Sequence, residues 1–303
     1  MSKCSGMRQR SPLRNGFEYA LALTVLKSLE WAPSSLAYGL AGLYTRLLDA
    51  AIPRLRRVAR RNLAVALPGT DAEAIADGVF RSIARLLVAF AKLPSIRKNN
   101  LHRWIRCQGL EHVEAGLAAG RGILFATAHL GNWELSAFAY PLLARPMHVV
   151  ARPLDNPLID ALIERRRTLS GNSLIFKKDY ARGILKALAA NAAVGILIDQ
   201  NAMPAEGVFV NFFGVPACAG TGFAKIAVHS GAAVIPGFAL WSDEERRYVL
   251  RFYPPVAMSG DVSRDTAALQ AQLESVIRAH PDQWLWIHRR WKTRPDGEPA
   301  LYE

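Results

Sequence analysis

The chemistry this chain can perform is written most plainly in a histidine followed five positions later by a carboxylate: His129 and Glu134, in Ala128-His129-Leu130-Gly131-Asn132-Trp133-Glu134. A neutral imidazole takes up a proton near neutral pH, and a carboxylate held against it sets the tautomer and stabilises the imidazolium. Of the seven histidines only His129 has an acid at this spacing. Spacing alone does not separate a proton-transfer dyad from a histidine packed at a strand end, with Glu134 merely an acid favoured in a first helical turn. Placement adds to it. Ile123 to Ala128 is a short apolar run suited to a buried strand, Leu130-Gly131-Asn132 is a turn whose Asn132 can cap the next element, and Trp133 to Leu143 reads as a helix. His129 thus stands at the carboxyl end of a strand, where α/β proteins gather reactive groups, and Glu134 can fold back to it.

Two further positions carry charge to comparable places. Glu164-Arg165-Arg166-Arg167 closes a helix begun near Pro157. Its arginines can clamp a phosphate bidentately, or simply complement the helix dipole. Asp199 ends the apolar run Val194-Gly195-Ile196-Leu197-Ile198 and can contact a substrate, position a basic group or cap a loop. No Gly-x-Ser-x-Gly elbow occurs, and Cys4, Cys107 and Cys218 are scattered, so a covalent intermediate has no evident nucleophile. Gly220-Thr221-Gly222-Phe223-Ala224-Lys225 lacks the third glycine of a dinucleotide fingerprint and the ending of a P-loop, and reads instead as the start of a helix over 223–230. No spacing suggests a metal site, and no cofactor is implied.

The elements that must position these groups alternate. Apolar strand candidates at 122–128, 147–151, 194–199, 232–236 and 247–253 are separated by helical stretches, which predicts an α/β fold with a mixed β-sheet covered by helices. The chain carries a formal charge of +13, and residues 1–62 hold eleven Lys/Arg against three acids, so eight of those charges fall in the first fifth. That segment faces something anionic. Its uncharged stretch, Trp31 to Thr45, is shorter than the ~20 residues of a spanning helix and contains Pro33. The expectation is a basic, helical, membrane-associating extension over 1–66, lying in the leaflet rather than crossing it, and then an α/β domain over 67–303. The tail Trp284-Leu285-Trp286-Ile287-His288-Arg289-Arg290-Trp291-Lys292 mixes aromatics with positive charge. Core packing near lipid headgroups is favoured over nucleic-acid stacking, since no nucleic-acid-binding module accompanies it.

Six blocks in order carry a resemblance along nearly the whole chain: Arg60-Arg61-Asn62-Leu63 with Pro68; Ala128 to Glu134; Ile198-Asp199-Gln200; Phe212-Phe213-Gly214-Val215-Pro216; Ala232-Ala233-Val234-Ile235-Pro236; and Pro281 to Lys292. Together they resemble the late acyltransferases of lipid A biosynthesis. The resemblance implies a glycerolipid-acyltransferase-like α/β fold, an acyl carrier protein thioester as donor, a glycolipid hydroxyl as acceptor and a His-x4-Asp/Glu dyad matching His129 and Glu134. It also implies a functional arginine in the segment of Arg166 and Arg167, with Arg167 the better fit. The family extends to acyltransferases of mannosylated phosphatidylinositol. The expected protein is therefore an acyltransferase on the cytoplasmic face of a bacterial inner membrane, peripheral or single-pass, with His129 and Glu134 catalytic and Arg166, Arg167, Asp199 and Asn132 binding substrate. An enzyme for another glycolipid or a lysophospholipid is the alternative within the class. A non-enzymatic basic membrane or nucleic-acid-binding protein is the alternative outside it.

Overall fold

The structure, a computed structural model, describes residues 11–176 and 180–302. Lys3, Cys4, Arg8 and Arg10 of the basic segment lie outside the described residues. Among the described residues four α-helices precede the first strand: α1 Pro12–Trp31, α2 Ser34–Ala51, α3 Pro53–Ala66 and α4 Ala72–Lys92. Their boundaries reflect the sequence. Proline opens α1 and α3, where a missing N–H costs nothing, and Asp71 caps α4 by accepting from the Glu73 and Ala74 amides. Helices α1 and α2 pack on α4 and bury Leu26, Leu29, Ala37 and Ala41 in the main core. The amino-terminal segment is thus part of the packed body. Among the described residues no helix is long and apolar enough to cross a membrane.

The remainder alternates: β1 Ile105–Gln108, α5 Leu110–Ala118, β2 Ile123–Thr127, α6 Trp133–Leu143, β3 Met147–Ala151, α7 Pro157–Arg167, β4 Ser173–Phe176, α8 Tyr180–Ala189, β5 Ala193–Leu197, the hairpin β6 Gly207–Phe212 and β7 Val215–Gly220, α9 Gly222–Ser230, β8 Ala233–Ser242, β9 Arg247–Phe252 and α10 Val262–Ala279. Among the described residues the main sheet runs β1-β9-β8-β2-β5-β3-β4. All neighbours are parallel except β8 and β9, so β9 and β1 run against the other five. This is the expected α/β class with a mixed, mostly parallel sheet flanked by helices. The central strands are apolar except at their last residues, Thr127 of β2 and Ser242 of β8, as expected for a parallel sheet covered by helices on both faces.

Strand β2 holds the middle, with β8 on one side and β5 on the other. The chain leaves β2 through α6 to reach β3, and β5 returns later to fill the gap between β2 and β3. Two strand ends far apart in sequence, those of β2 and β5, are thereby brought side by side.

Candidate active site

Register determines what meets at those ends. Thr127 pairs with Leu197, and the Ile198 amide donates to the Thr127 carbonyl at 2.9 Å, which extends the ladder one step and sets His129 beside Asp199. The His129 backbone N–H donates to Asp199 Oδ2 at 3.0 Å, and its ring Nδ1 lies 2.9 Å from Asp199 Oδ1. The Trp284 indole donates to the same Oδ2 at 2.9 Å. Both carboxylate oxygens are therefore engaged, and the acceptor character of Asp199 requires the proton on His129 Nδ1, leaving Nε2 as the basic nitrogen.

The turn beyond His129 is held just as closely. Gly131 adopts φ +62, and a side chain there would meet the Ala239 carbonyl oxygen at 2.0 Å, so only glycine lets the chain pass this near β8. Its amide donates to Gln283 O and the next one, of Asn132, to Ala239 O. Asn132 is fully buried and accepts from the Leu135 amide, capping α6. The expected cap is present; the side chain expected to bind substrate is enclosed where the turn is clamped between β8 and the tail, and it does not line the cleft that holds His129 and Glu134.

Glu134, expected to orient His129, instead grips Arg167. The guanidinium forms a two-pronged pair with it, Nε to Oε2 at 2.9 Å and Nη2 to Oε1 at 2.5 Å. The hydrogen-bond partner of His129 is Asp199, because the β2–β5 register delivers that carboxylate to Nδ1 directly. Glu134 still acts on the imidazole through its charge. Burial works against the imidazolium, but Asp199, with Glu134 behind it, outweighs burial and the opposing Arg167, so His129 titrates above its ordinary value. For Asp199 burial favours the neutral acid, yet His129 and the hydrogen bonds from His129 and Trp284 hold it below the usual carboxylate range.

His129, Trp133, Glu134 and Arg167 line a cleft of about 1060 Å³ over the carboxyl ends of β2, β3 and β5. Its mouth carries Arg152, Gln200, Asn201 and Lys225, and its inner part runs between α6 and the sheet to the buried Phe125, Tyr140, Met147 and Phe252. Polar groups at one end and a deep apolar trough at the other suit an amphiphile.

Of the two arginines expected at a phosphate, the structure brings Arg167 into the cleft and turns Arg166 away. Arg166 donates to the Ala91 carbonyl at 2.8 Å and to Glu30 at 2.5 Å, tying α7 to α1 and α4. Successive helix positions are about 100° apart, and here that turn sends Arg166 toward α1 and α4 and Arg167 toward the cleft. The tail, expected to pack its tryptophans, does so as a string of turns rather than a helix, with Trp284, Trp286 and Trp291 buried together.

Three supporting groups escape sequence reasoning. Trp284 holds Asp199 directly. The fully buried Arg290 donates to Gln270 Oε1 at 3.0 Å, and Gln270 Nε2 donates to Ile198 O at 2.8 Å, anchoring the residue before Asp199. Burial pushes the Arg290 guanidinium down to about 10, and the charge is kept by the Cys218 carbonyl and the face of Phe212. The available signal is the tail block itself, which sets an arginine among tryptophans that have to be buried.

Comparison of the sequence with known proteins identifies the family. The chain matches the bacterial lipid A biosynthesis acyltransferase family over residues 7–293. It is 30% identical to the lipid A biosynthesis lauroyltransferase of Escherichia coli (strain K12) across 93% of this chain and 94% of that one. It is 31% identical to the lipid A biosynthesis palmitoleoyltransferase of the same organism across 85% and 86%. A phosphatidylinositol mannoside acyltransferase of Mycobacterium tuberculosis is also 31% identical, across 77% and 76%. A family match over nearly the whole length, with the His129 and Asp199 strand ends meeting inside it, places this chain in the bacterial lipid A biosynthesis acyltransferase family.

Proposed function

We propose that the protein transfers a fatty acyl chain from an acyl carrier protein thioester to a hydroxyl of a lipid A precursor, with His129 as general base. The observation that carries this reading is the Asp199–His129 pair at the head of an apolar trough. A sugar or hydroxyacyl OH is too weak a nucleophile until a base takes its proton in the transition state, and His129 Nε2 supplies that base. Asp199 keeps the tautomer and stabilises the imidazolium, which then returns the proton to the departing thiolate. The tetrahedral oxyanion needs donors. Because the Gly131 and Asn132 amides are already committed, the first-turn amides of Trp133 and Glu134, or Arg167, are the groups left to serve.

Surface features support a lipid acceptor at a membrane. Leu13, Phe17 and Leu21 form an exposed stripe on α1, and Leu36, Leu43 and Leu47 form another on α2; Arg46 on α2 and Arg54 and Arg57 on α3 are exposed cations. Asn156 joins the exposed Leu154 and Leu158 to α1 through Asn15, and Leu154 is on the cleft rim, so the apolar surface leads to the cleft. The reading is a peripheral enzyme on the cytoplasmic face of the inner membrane, where a basic surface attracts both an acidic carrier protein and a phosphorylated lipid. Phe17→Glu with Leu21→Glu should abolish sedimentation with phosphatidylglycerol vesicles; retention on them would dispose of the docking face.

Relatives named for lipid A and for phosphatidylinositol mannoside are both 31% identical, the former over more of the chain, and so an assay has to compare the two acceptors. The deciding assay incubates purified protein with acyl carrier proteins bearing a ladder of even-numbered chains, and with either a tetra-acylated phosphorylated lipid A precursor or a mannosylated phosphatidylinositol. A mass gain of one acyl chain on the lipid A precursor is expected. Gain only on the mannoside would move the acceptor, and gain on neither by folded protein would sink the reading.

A further inference from the structure

We propose that Gly195, Met147 and the aromatic trio Phe125, Tyr140 and Phe252 form a floor that measures the acyl chain. The proposal rests on the acyltransferase reading above and adds which residues select the donor.

The trough owes its depth to missing side chains. Gly195 on β5 lies in register between Phe125 on β2 and Val149 on β3, and Gly237 on β8 pairs with Phe252 on β9. All five residues line the cleft, on the face of the sheet that α6 covers. Side chains alternate along a strand, so any residue larger than glycine at 195 or 237 would project into this space. The Met147 thioether lies across Gly195: a Cβ there would come within 2.6 Å of its terminal methyl. At 237 a Cβ would stand 3.0 Å from the Phe252 ring.

Beyond the glycines the space closes. Phe125 stacks on Phe252 with centroids 5.1 Å apart and meets Tyr140 edge-on at 5.1 Å. These three and Met147 are each buried and belong to the main core. An aromatic cluster at native packing density does not yield to one more methylene without cost.

The floor also has a position. Phe125 precedes His129 by four residues along the β2 line, or ~13 Å at the rise of a strand. An extended chain advances roughly 1.25 Å per carbon for ~1.5 Å bonds, so on the order of ten to twelve carbons fit between the base and the floor. Methionine is the adjustable part. Its unbranched side chain fills irregular space and can be displaced, so the Met147–Gly195 contact sets the last few carbons.

Substitution at the two positions should move the limit in opposite directions. Gly195→Ala pushes the Met147 tip into the trough and shortens the preferred chain, while Met147→Ala opens the end and lengthens it. One methylene in an apolar pocket discriminates by ~10–200-fold, so each variant should change the ratio of long to short chains by about 10-fold or more.

The experiment measures binding of saturated fatty acids of graded length by native mass spectrometry to wild type, Gly195→Ala and Met147→Ala. In parallel, each protein is given a mixed pool of acyl carrier protein thioesters. Opposite shifts in the two variants establish the floor. Identical length profiles in all three, no binding of any chain, or a wild-type optimum at palmitoyl length or beyond overturns it. Shifted binding profiles without transfer by any of the three keep the floor and remove the acyltransferase reading instead. Transfer with unshifted profiles does the reverse. Because the two substitutions change volume in opposite senses, general loosening of the core cannot mimic the result.

Discussion

Asp199→Asn should lower kcat/KM by roughly 10²–10⁴-fold and move the pH dependence, while leaving the folded protein intact. The amide keeps the shape of the carboxylate but can present its NH₂ to His129 Nδ1. The ring proton would then shift to Nε2, the nitrogen proposed to accept the hydroxyl proton. Since Asp199 also receives the Trp284 indole and the His129 amide, the amide oxygen will stay on those donors, which turns the NH₂ group toward the ring.

The same contacts set the sign of the pH effect. A general base works when neutral, so wild-type kcat/KM should rise with pH and level off above an apparent value higher than 6.5, because Asp199 and Glu134 outweigh burial at His129. In Asp199→Asn the larger of those two influences is gone and burial remains. The rising limb should therefore shift to lower pH even as the plateau falls. His129→Ala should lose the limb altogether. Full pH profiles of the three proteins decide the matter: a variant limb at the wild-type position with a rate within a few-fold would remove Asp199 from the mechanism. Linkage gives a stability counterpart. The lowered Asp199 contributes above its unfolded value of 3.8 and loses that contribution as pH falls; the raised His129 contributes below 6.5 and loses its share as pH climbs through its folded value. The pair should stabilise most between roughly pH 4 and 6.5.

How much of the fold and site is legible in the sequence depends on whether the determining interaction is local. The strand–turn–helix around His129 is legible because apolar run, glycine, capping asparagine and helix succeed one another within a short stretch. The class of the sheet is legible for the same reason, from strands buried on both faces. Strand order is not, and strand order chooses the partner of His129. Glu134 is near in sequence and Asp199 is seventy residues away; only the insertion of β5 beside β2 makes the distant acid the neighbour. The hairpin β6–β7 is hidden by its turn, which carries Phe213 at φ +58 before Gly214 at φ +81. A two-residue turn of this kind normally shows Asn or Asp first. Here the ring lies under Arg278 and the amide donates to Glu274, so tertiary contacts hold a conformation the local sequence does not advertise. Arg166 and Arg167 look interchangeable until helix geometry sends one into the core and the other into the cleft.

Glu134 and Arg167 should behave as one unit, with single substitutions costing roughly 10²-fold in kcat/KM and the double substitution costing little more than the worse single. Each is largely enclosed, with 11% of the Glu134 side chain and 25% of the Arg167 side chain exposed, so neither charge can be fully solvated if its partner is removed. Glu134→Gln keeps the size of the side chain and withdraws the charge. It should lower the titration of His129, though by less than Asp199→Asn, because the influence of Glu134 on the ring is through space and that of Asp199 is through a hydrogen bond as well. It also leaves the guanidinium of Arg167 without its fork, free to swing toward the phosphates of the proposed acceptor. Arg167→Ala leaves Glu134 charged beside His129 but no longer held in place, which should disorder the first turn of α6 where the remaining oxyanion donors stand. Both routes damage the same few atoms, and so their costs should overlap rather than multiply. A double-variant cycle on kcat/KM, run with the lipid A precursor at several concentrations, separates this from the phosphate-clamp role. Costs that multiply, with Arg167→Ala acting mainly by raising the acceptor KM, would assign Arg167 to the headgroup and leave Glu134 to act alone.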